Sequence, residues 1–142
     1  MNGFQERLNE LLKENQTNRA QLAKKIGVSS TTINGYFNDG YFPRLDIAIK
    51  IANTFDCSLN YLFGIDDTGD TPEICDLPFI KIFDNLLKER NLSVAKALKE
   101  MNLGEYDYYR WKKGQFPKTA NLLIIAKYFG VSIDYLIGNL TR

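Results

Sequence analysis

The fold turns on residues 18–33, which read Asn18-Arg19-Ala20-Gln21-Leu22-Ala23-Lys24-Lys25-Ile26-Gly27-Val28-Ser29-Ser30-Thr31-Thr32-Ile33. Asn18 is a good N-cap, because its side-chain oxygen can accept an orphan amide of the first turn, and Gln21 three residues on completes a capping-box-like pair. The helix so started is expected to carry Ala20, Ala23 and Ile26 inward. It stops at Gly27, which can take the left-handed conformation of a C-terminal cap. Ser29 caps a new helix two residues later. There Ile33 and Tyr36 point inward, leaving Ser30, Thr31, Asn34 and Gly35 outward. So short a glycine turn sets two helices at a steep angle.

Upstream, Phe4, Leu8, Leu11 and Leu12 recur at i, i+4, i+7 and i+8, the apolar face of a helix. Downstream, Pro43 closes a turn and cannot continue a helix. A fourth helix holds Ile47, Ile49, Ile51, Ala52 and Phe55, and Ser58 opens a fifth that ends at Gly64. The whole scheme then recurs. Leu11-Leu12-Lys13-Glu14 returns 75 residues later as Leu86-Leu87-Lys88-Glu89, after Phe79 and Phe83. Gly40-Tyr41-Phe42-Pro43 returns 74 residues later as Gly114-Gln115-Phe116-Pro117, and Ser58–Gly64 as Ser132–Gly138. A unit of about sixty residues exceeds the ~20–50 of a solenoid repeat. The spacing therefore predicts an all-α chain of two tandem five-helix domains, residues 1–64 and 79–142. Residues 65–78, rich in Asp, Gly, Thr and Pro, form an acidic linker that extends to roughly 46–50 Å.

The 142 residues are 44% hydrophobic, a globular composition, and their net charge of +1 conceals an asymmetry. Residues 1–64 carry seven Lys/Arg against six Asp/Glu, residues 65–78 none against five, and residues 79–142 eleven against six. A basic second half suits a polyanion, but the same excess is also an ordinary solvated surface. No apolar run approaches the ~18 residues of a membrane span, and residues 1–7 lack a signal-peptide pattern, so the expected address is the cytoplasm. Cys57 and Cys75 sit in no metal spacing and there is no histidine, so neither a metal nor a cofactor is expected. Cys57 aligns with Val131 and reads as a small core residue.

Residues 18–33, the following Gly40-x-x-Pro43 and the Ser-x-Asn/Asp-Tyr-Leu-x-Gly endings resemble the Cro-like (XRE) phage-repressor family. The resemblance covers residues 4–64 and 79–138. It implies lambda-repressor-like helix-turn-helix domains that bind operator DNA and usually regulate transcription in bacteria or their phages. A helix held across such a turn can enter the major groove, and its N-terminal amides and partial positive charge suit phosphate. In the first copy the resemblance places Asn18 and Arg19 at phosphates; Ser29 is a further candidate DNA contact, and the outward Ser30, Thr31 and Asn34 are candidates to read the groove. Asn34 can pair bidentately with adenine, for ~1–3 kcal/mol of discrimination. Against this, Asn18 and Ser29 serve equally well as plain caps. Gly35 departs from the family's usual polar residue and costs ~0.8–1 kcal/mol in a helix.

The second copy departs further. Ser93 remains as cap and as a candidate DNA contact, Asn102 stands where Gly27 stood, and Ala97 and Leu98 exchange the places of Leu22 and Ala23. Val94 replaces a polar phosphate-contacting residue. Its recognition segment offers Glu105, Tyr106, Tyr109, Arg110 and Lys113 as DNA contacts, with Trp111 in the core. Glu105 can accept from a cytosine amino group, yet a helix start favours acids for its own sake.

Two uses of the duplication stand open. Both copies can read neighbouring half-sites, ~34 Å apart, as a covalent dimer. Alternatively the first reads DNA and the second, through its tyrosines and Leu122-Leu123-Ile124-Ile125, binds a second copy or a protein partner. For the apolar run, a core buried on two sides is the simpler account. A third reading keeps the fold and loses DNA binding, as in an antitoxin-like or phage regulatory partner. An enzyme is not expected: there is no histidine base, phosphate-cradling glycine loop or nucleophile cluster. Nor is there room for a self-cleaving C-terminal domain, so induction by self-proteolysis is not expected.

Overall fold

The computed structural model describes residues 2–138. They fall into two compact units with the boundary between Thr71 and Pro72. Ten helices and no strand occur among the described residues. The first unit holds α1 (Gly3–Glu14), α2 (Arg19–Ile26), α3 (Ser30–Asn38), α4 (Leu45–Thr54) and α5 (Leu59–Leu62). The second holds α6 (Phe79–Glu89), α7 (Val94–Met101), α8 (Glu105–Lys112), α9 (Thr119–Phe129) and α10 (Ile133–Ile137).

Local chemistry explains most of these boundaries. Asn18, Ser29 and Ser58 each accept an amide of their own helix's first turn, from Gln21, Thr32 and Tyr61. Ser93 and Ser132 do the same for Lys96 and Tyr135. Gly27 and Asn102 both turn left-handed, at φ 80° and 57°, and end α2 and α7. The full capping box lies at α1, where Asn2 accepts from the Gln5 amide and Gln5 Oε1 accepts from the Asn2 amide. The box expected at α2 is only half made. Gln21 Oε1 accepts from the Thr17 hydroxyl at 2.8 Å instead of reaching back to Asn18.

The first core gathers Phe4, Leu8, Leu22, Ile33, Ile51, Leu59 and Leu62, each at most 2% exposed. One expectation on α2 is corrected. Ala20 is exposed, and Leu22 joins Ala23 and Ile26 in the core. At 3.6 residues per turn those three share one arc, and Ala20 falls well beyond its edge. On α4, Phe55 lies past the last helical turn and is half-buried with Ile49, while Ala48 is fully buried. Gly64 has a further task besides ending α5. A Cβ there would meet the Gly3 backbone at 3.0 Å, so two glycines let the ends of α1 and α5 touch.

The second core is built around Phe83, whose ring centroid lies 5.5 Å from Trp111, 5.8 Å from Phe79 and Phe129, and 5.9 Å from Tyr108. Trp111 is buried, as are both Ala97 and Leu98. The run on α9 is not buried on two sides: Leu122 and Ile125 face the core, whereas Ile124 is 40% exposed. A helix packed on one side buries one stripe, whereas four consecutive residues spread over about 300° of its circumference.

Between Leu62 and Phe79 no helix forms. The segment is nonetheless fastened, each end to its own unit. Asp67 pairs with the buried Arg7, whose guanidinium lies 3.8 Å over the Tyr61 ring. Near the other end the Cys75 and Leu77 carbonyls press against the backbone of Gly138, where a Cβ would not fit. Fewer than fourteen residues are therefore free to extend.

Gly35 lies inside α3 with room for a methyl group; an added Cβ would meet Tyr41 Cδ2 at 3.6 Å and Asp39 Oδ2 at 3.9 Å. Both are ordinary van der Waals distances. Gly35→Ala is expected to stabilise the first unit by about 0.8–1 kcal/mol through helix propensity, measured as a raised urea midpoint at unchanged slope. An unchanged or lowered midpoint would show that α3 needs the glycine's freedom.

Candidate nucleic-acid interface

The turn Gly27-Val28-Ser29 joins α2 to α3, and packing fixes which way α3 faces. Ile33 and Tyr36 are buried, the Tyr36 ring edge-on to Phe4 at 5.6 Å. Ser30 and Thr31 are consequently exposed and Asn34 half-exposed. Spacings of i, i+3 and i+4 put the three on one stripe. The first turn of α3 carries no acidic side chain, so its amide dipoles stand uncompensated by any carboxylate of that turn. Asn18 and Ser29, both exposed, are occupied as caps; the Ser29 hydroxyl also lies 3.0 Å from the Thr32 hydroxyl.

Two contacts at this face are absent from any local pattern. Arg19, expected to reach for phosphate, lies with its guanidinium 3.7 Å over the Phe37 ring and donates to Asn34 Oδ1 at 3.3 Å. An arginine only donates, so the Asn34 amide presents its oxygen to Arg19 and its NH2 group away from it. Gln5, buried on α1, donates through Nε2 to the carbonyls of Tyr36 and Phe37 in the last turn of α3. The capping box of α1 thus also anchors the end of α3.

Beside the stripe runs a groove of about 550 Å³, walled by Thr31, Gly35, Tyr36, Tyr41, Phe42 and Arg44 among others. Tyr41 is 63% exposed on its rim, and the exposed Arg44 guanidinium sits 3.3 Å from Asp46. The repeat had marked Tyr41 and Phe42, but nothing local shows that their loop folds back along α3.

The second unit offers a different surface. Gly104 starts α8 without a side-chain cap bond, and Glu105 and Asp107 fill its first turn while Arg110 and Lys112 fill its last. This order complements the helix's own dipole. Tyr106 and Tyr109 are exposed, at 71% and 54%. Arg110 lies 5.9 Å over the Tyr106 ring and donates through Nε to Gln115 Oε1 at 2.6 Å. Lys113 lies 5.3 Å over the Tyr109 ring, and Ser93 is an exposed cap on α7. Tyr108 turns the other way and donates to Asp84 Oδ1 at 3.1 Å. Burial and that hydrogen bond raise its hydroxyl above the ordinary tyrosine range, so it remains a donor.

No helix among the described residues is long and apolar enough to cross a membrane.

Comparison with known proteins places a family model, described as Helix-turn-helix, on residues 8–62. The uncharacterized HTH-type transcriptional regulator YobD of Bacillus subtilis (strain 168) is 34% identical over 65 residues. The match covers 46% of this chain and 58% of that protein, so the chain spans little more than half of its relative's length. No solved structure matches.

Proposed function

The chain carries a helix-turn-helix family domain over residues 8–62, and from that premise we propose a DNA-binding transcriptional regulator whose α3 reads operator DNA in the major groove. One observation supports this most directly: Ser30, Thr31 and Asn34 share an outward stripe at the start of a helix whose first turn holds no carboxylate. Asn34 is the discriminating reader, Ser30 and Thr31 tolerate several bases, and Asn18 and the start of α2 lie at the backbone. Such a protein works in the cytoplasm, where its DNA is. It needs no cofactor and no catalytic group for this task.

The second unit does not repeat this arrangement. Its carboxylates at the start of α8 stand where the first unit has Ser30 and Thr32, and they disfavour the same approach to a duplex. A second reading has this unit bind a protein or another copy of the chain in place of a duplex.

The test is binding of the full chain to fragments of genomic DNA across a salt series. Affinity is expected to fall steeply with salt, and a footprint then gives the operator. Asn34→Ala is expected to lower the ratio of operator to random-duplex affinity by roughly 5- to 150-fold, the equivalent of ~1–3 kcal/mol, at unchanged helicity. Flat salt dependence, or no shift with any fragment, would remove the reading.

A further inference from the structure

Along α8 and its C-cap, the exposed Tyr106, Tyr109 and Lys113 and the half-buried Arg110 stand at i, i+3, i+7 and i+4, within one arc of the helix. They occupy the positions that Thr31, Asn34, Gly35 and Asn38 hold in the first unit. The core has already taken its aromatic share from this helix, with Trp111 buried and Tyr108 bonded to Asp84. Tyr106 and Tyr109 are left projecting, each with a cation one turn further on lying over its ring. Each ring is therefore more than half exposed, with a positive charge alongside.

From this geometry we infer that the second unit binds single-stranded nucleic acid, its two tyrosines stacking on unpaired bases while Arg110 and Lys113 meet the phosphates. Stacking accepts any base, because every base has a π-face, and cations beside the platform follow the backbone. A duplex offers no such faces, since its bases are stacked on one another and expose only edges. Those edges are read by forked amides and guanidinium groups. The stripe offers phenol rings instead, and the one guanidinium in it already spends its Nε on Gln115. Glu105 and Asp107 lie about 100° to either side of Tyr106 around the helix, and so flank the stripe without entering it. The inference does not rest on duplex reading by α3; either can fail alone.

The experiment is fluorescence anisotropy of the full chain with a labelled thymidylate strand of about fifteen nucleotides, beside a random duplex of equal length. The strand is expected to bind, more weakly as salt rises. Replacing Tyr106 and Tyr109 together by Ala is expected to weaken it about tenfold or more, and replacing both by Phe to leave it within about threefold. Both side chains are exposed, so far-UV circular dichroism should be unchanged. Asn34→Ala should leave strand binding intact. No strand binding by the full chain would overturn the inference, as would an Ala double variant of unchanged affinity or a Phe double variant as weak as the Ala one. If the Ala double variant instead converts a dimer to monomer with strand binding unchanged, the stripe is a protein interface and the inference falls.

Discussion

Phe83→Ala is expected to lower the stability of the second unit by about 3–5 kcal/mol. Phe83 is fully buried and its ring touches those of Phe79, Tyr108, Trp111 and Phe129. Those four come from two other helices, α8 and α9, and from its own, so no single side chain can relax into the space. A unit of about seventy residues has a net stability near the low end of ~5–15 kcal/mol, and the loss removes much of it. The chain has one tryptophan, Trp111, and it packs on Phe83. Its emission therefore reports the second core alone, while circular dichroism reports both units. The Trp111 urea midpoint should fall sharply, with part of the helical signal surviving beyond it. An unmoved midpoint would mean that this ring cluster does not hold the unit together.

Gln5→Leu should be the most damaging polar substitution in the first unit. The side chain closes the capping box with Asn2 and donates to the Tyr36 and Phe37 carbonyls from a site 5% exposed. Leucine has a similar size but neither donor nor acceptor. It strands a buried carbonyl, at about 1–3 kcal/mol, and opens a cap worth about 1 kcal/mol more. Amide exchange should show the last turn of α3 losing protection first, and duplex affinity should fall with it. Equal loss of protection across all five helices would indicate a merely global effect. The second unit dispenses with this anchor: Ile80 stands at the corresponding position, and α8 is tied to α6 through Tyr108 and Asp84 instead.

Much of the architecture was legible because it is local. Asn18, Ser29, Ser58, Ser93 and Ser132 each bond an amide three residues away, so a cap declares itself within four letters. The left-handed stops at Gly27 and Asn102 depend only on which residues tolerate positive φ. Faces were less secure. Ala20 fits an i, i+3 pattern with Ala23 and Ile26, yet Leu22 is larger and gains more from burial, so it turns inward and carries Ala20 out. On α9 the length of the apolar run suggests a core on two sides, but only one stripe of it is buried.

The candidate site divides along the same line. By itself the sequence determined that α3 presents Ser30, Thr31 and Asn34, since Ile33 and Tyr36 must face the core, and that α8 presents tyrosines and cations in their place. Only the tertiary structure decided how those side chains are held. Arg19 and Asn34 are 15 residues apart, and Gln5 and Tyr36 are 31 apart. A hydrogen bond between such partners has no signature in spacing, because the geometry that permits it exists only after the helices have packed. Capping and periodicity are settled within one or two turns of helix. The orientation of the Asn34 amide depends on what another helix places beside it.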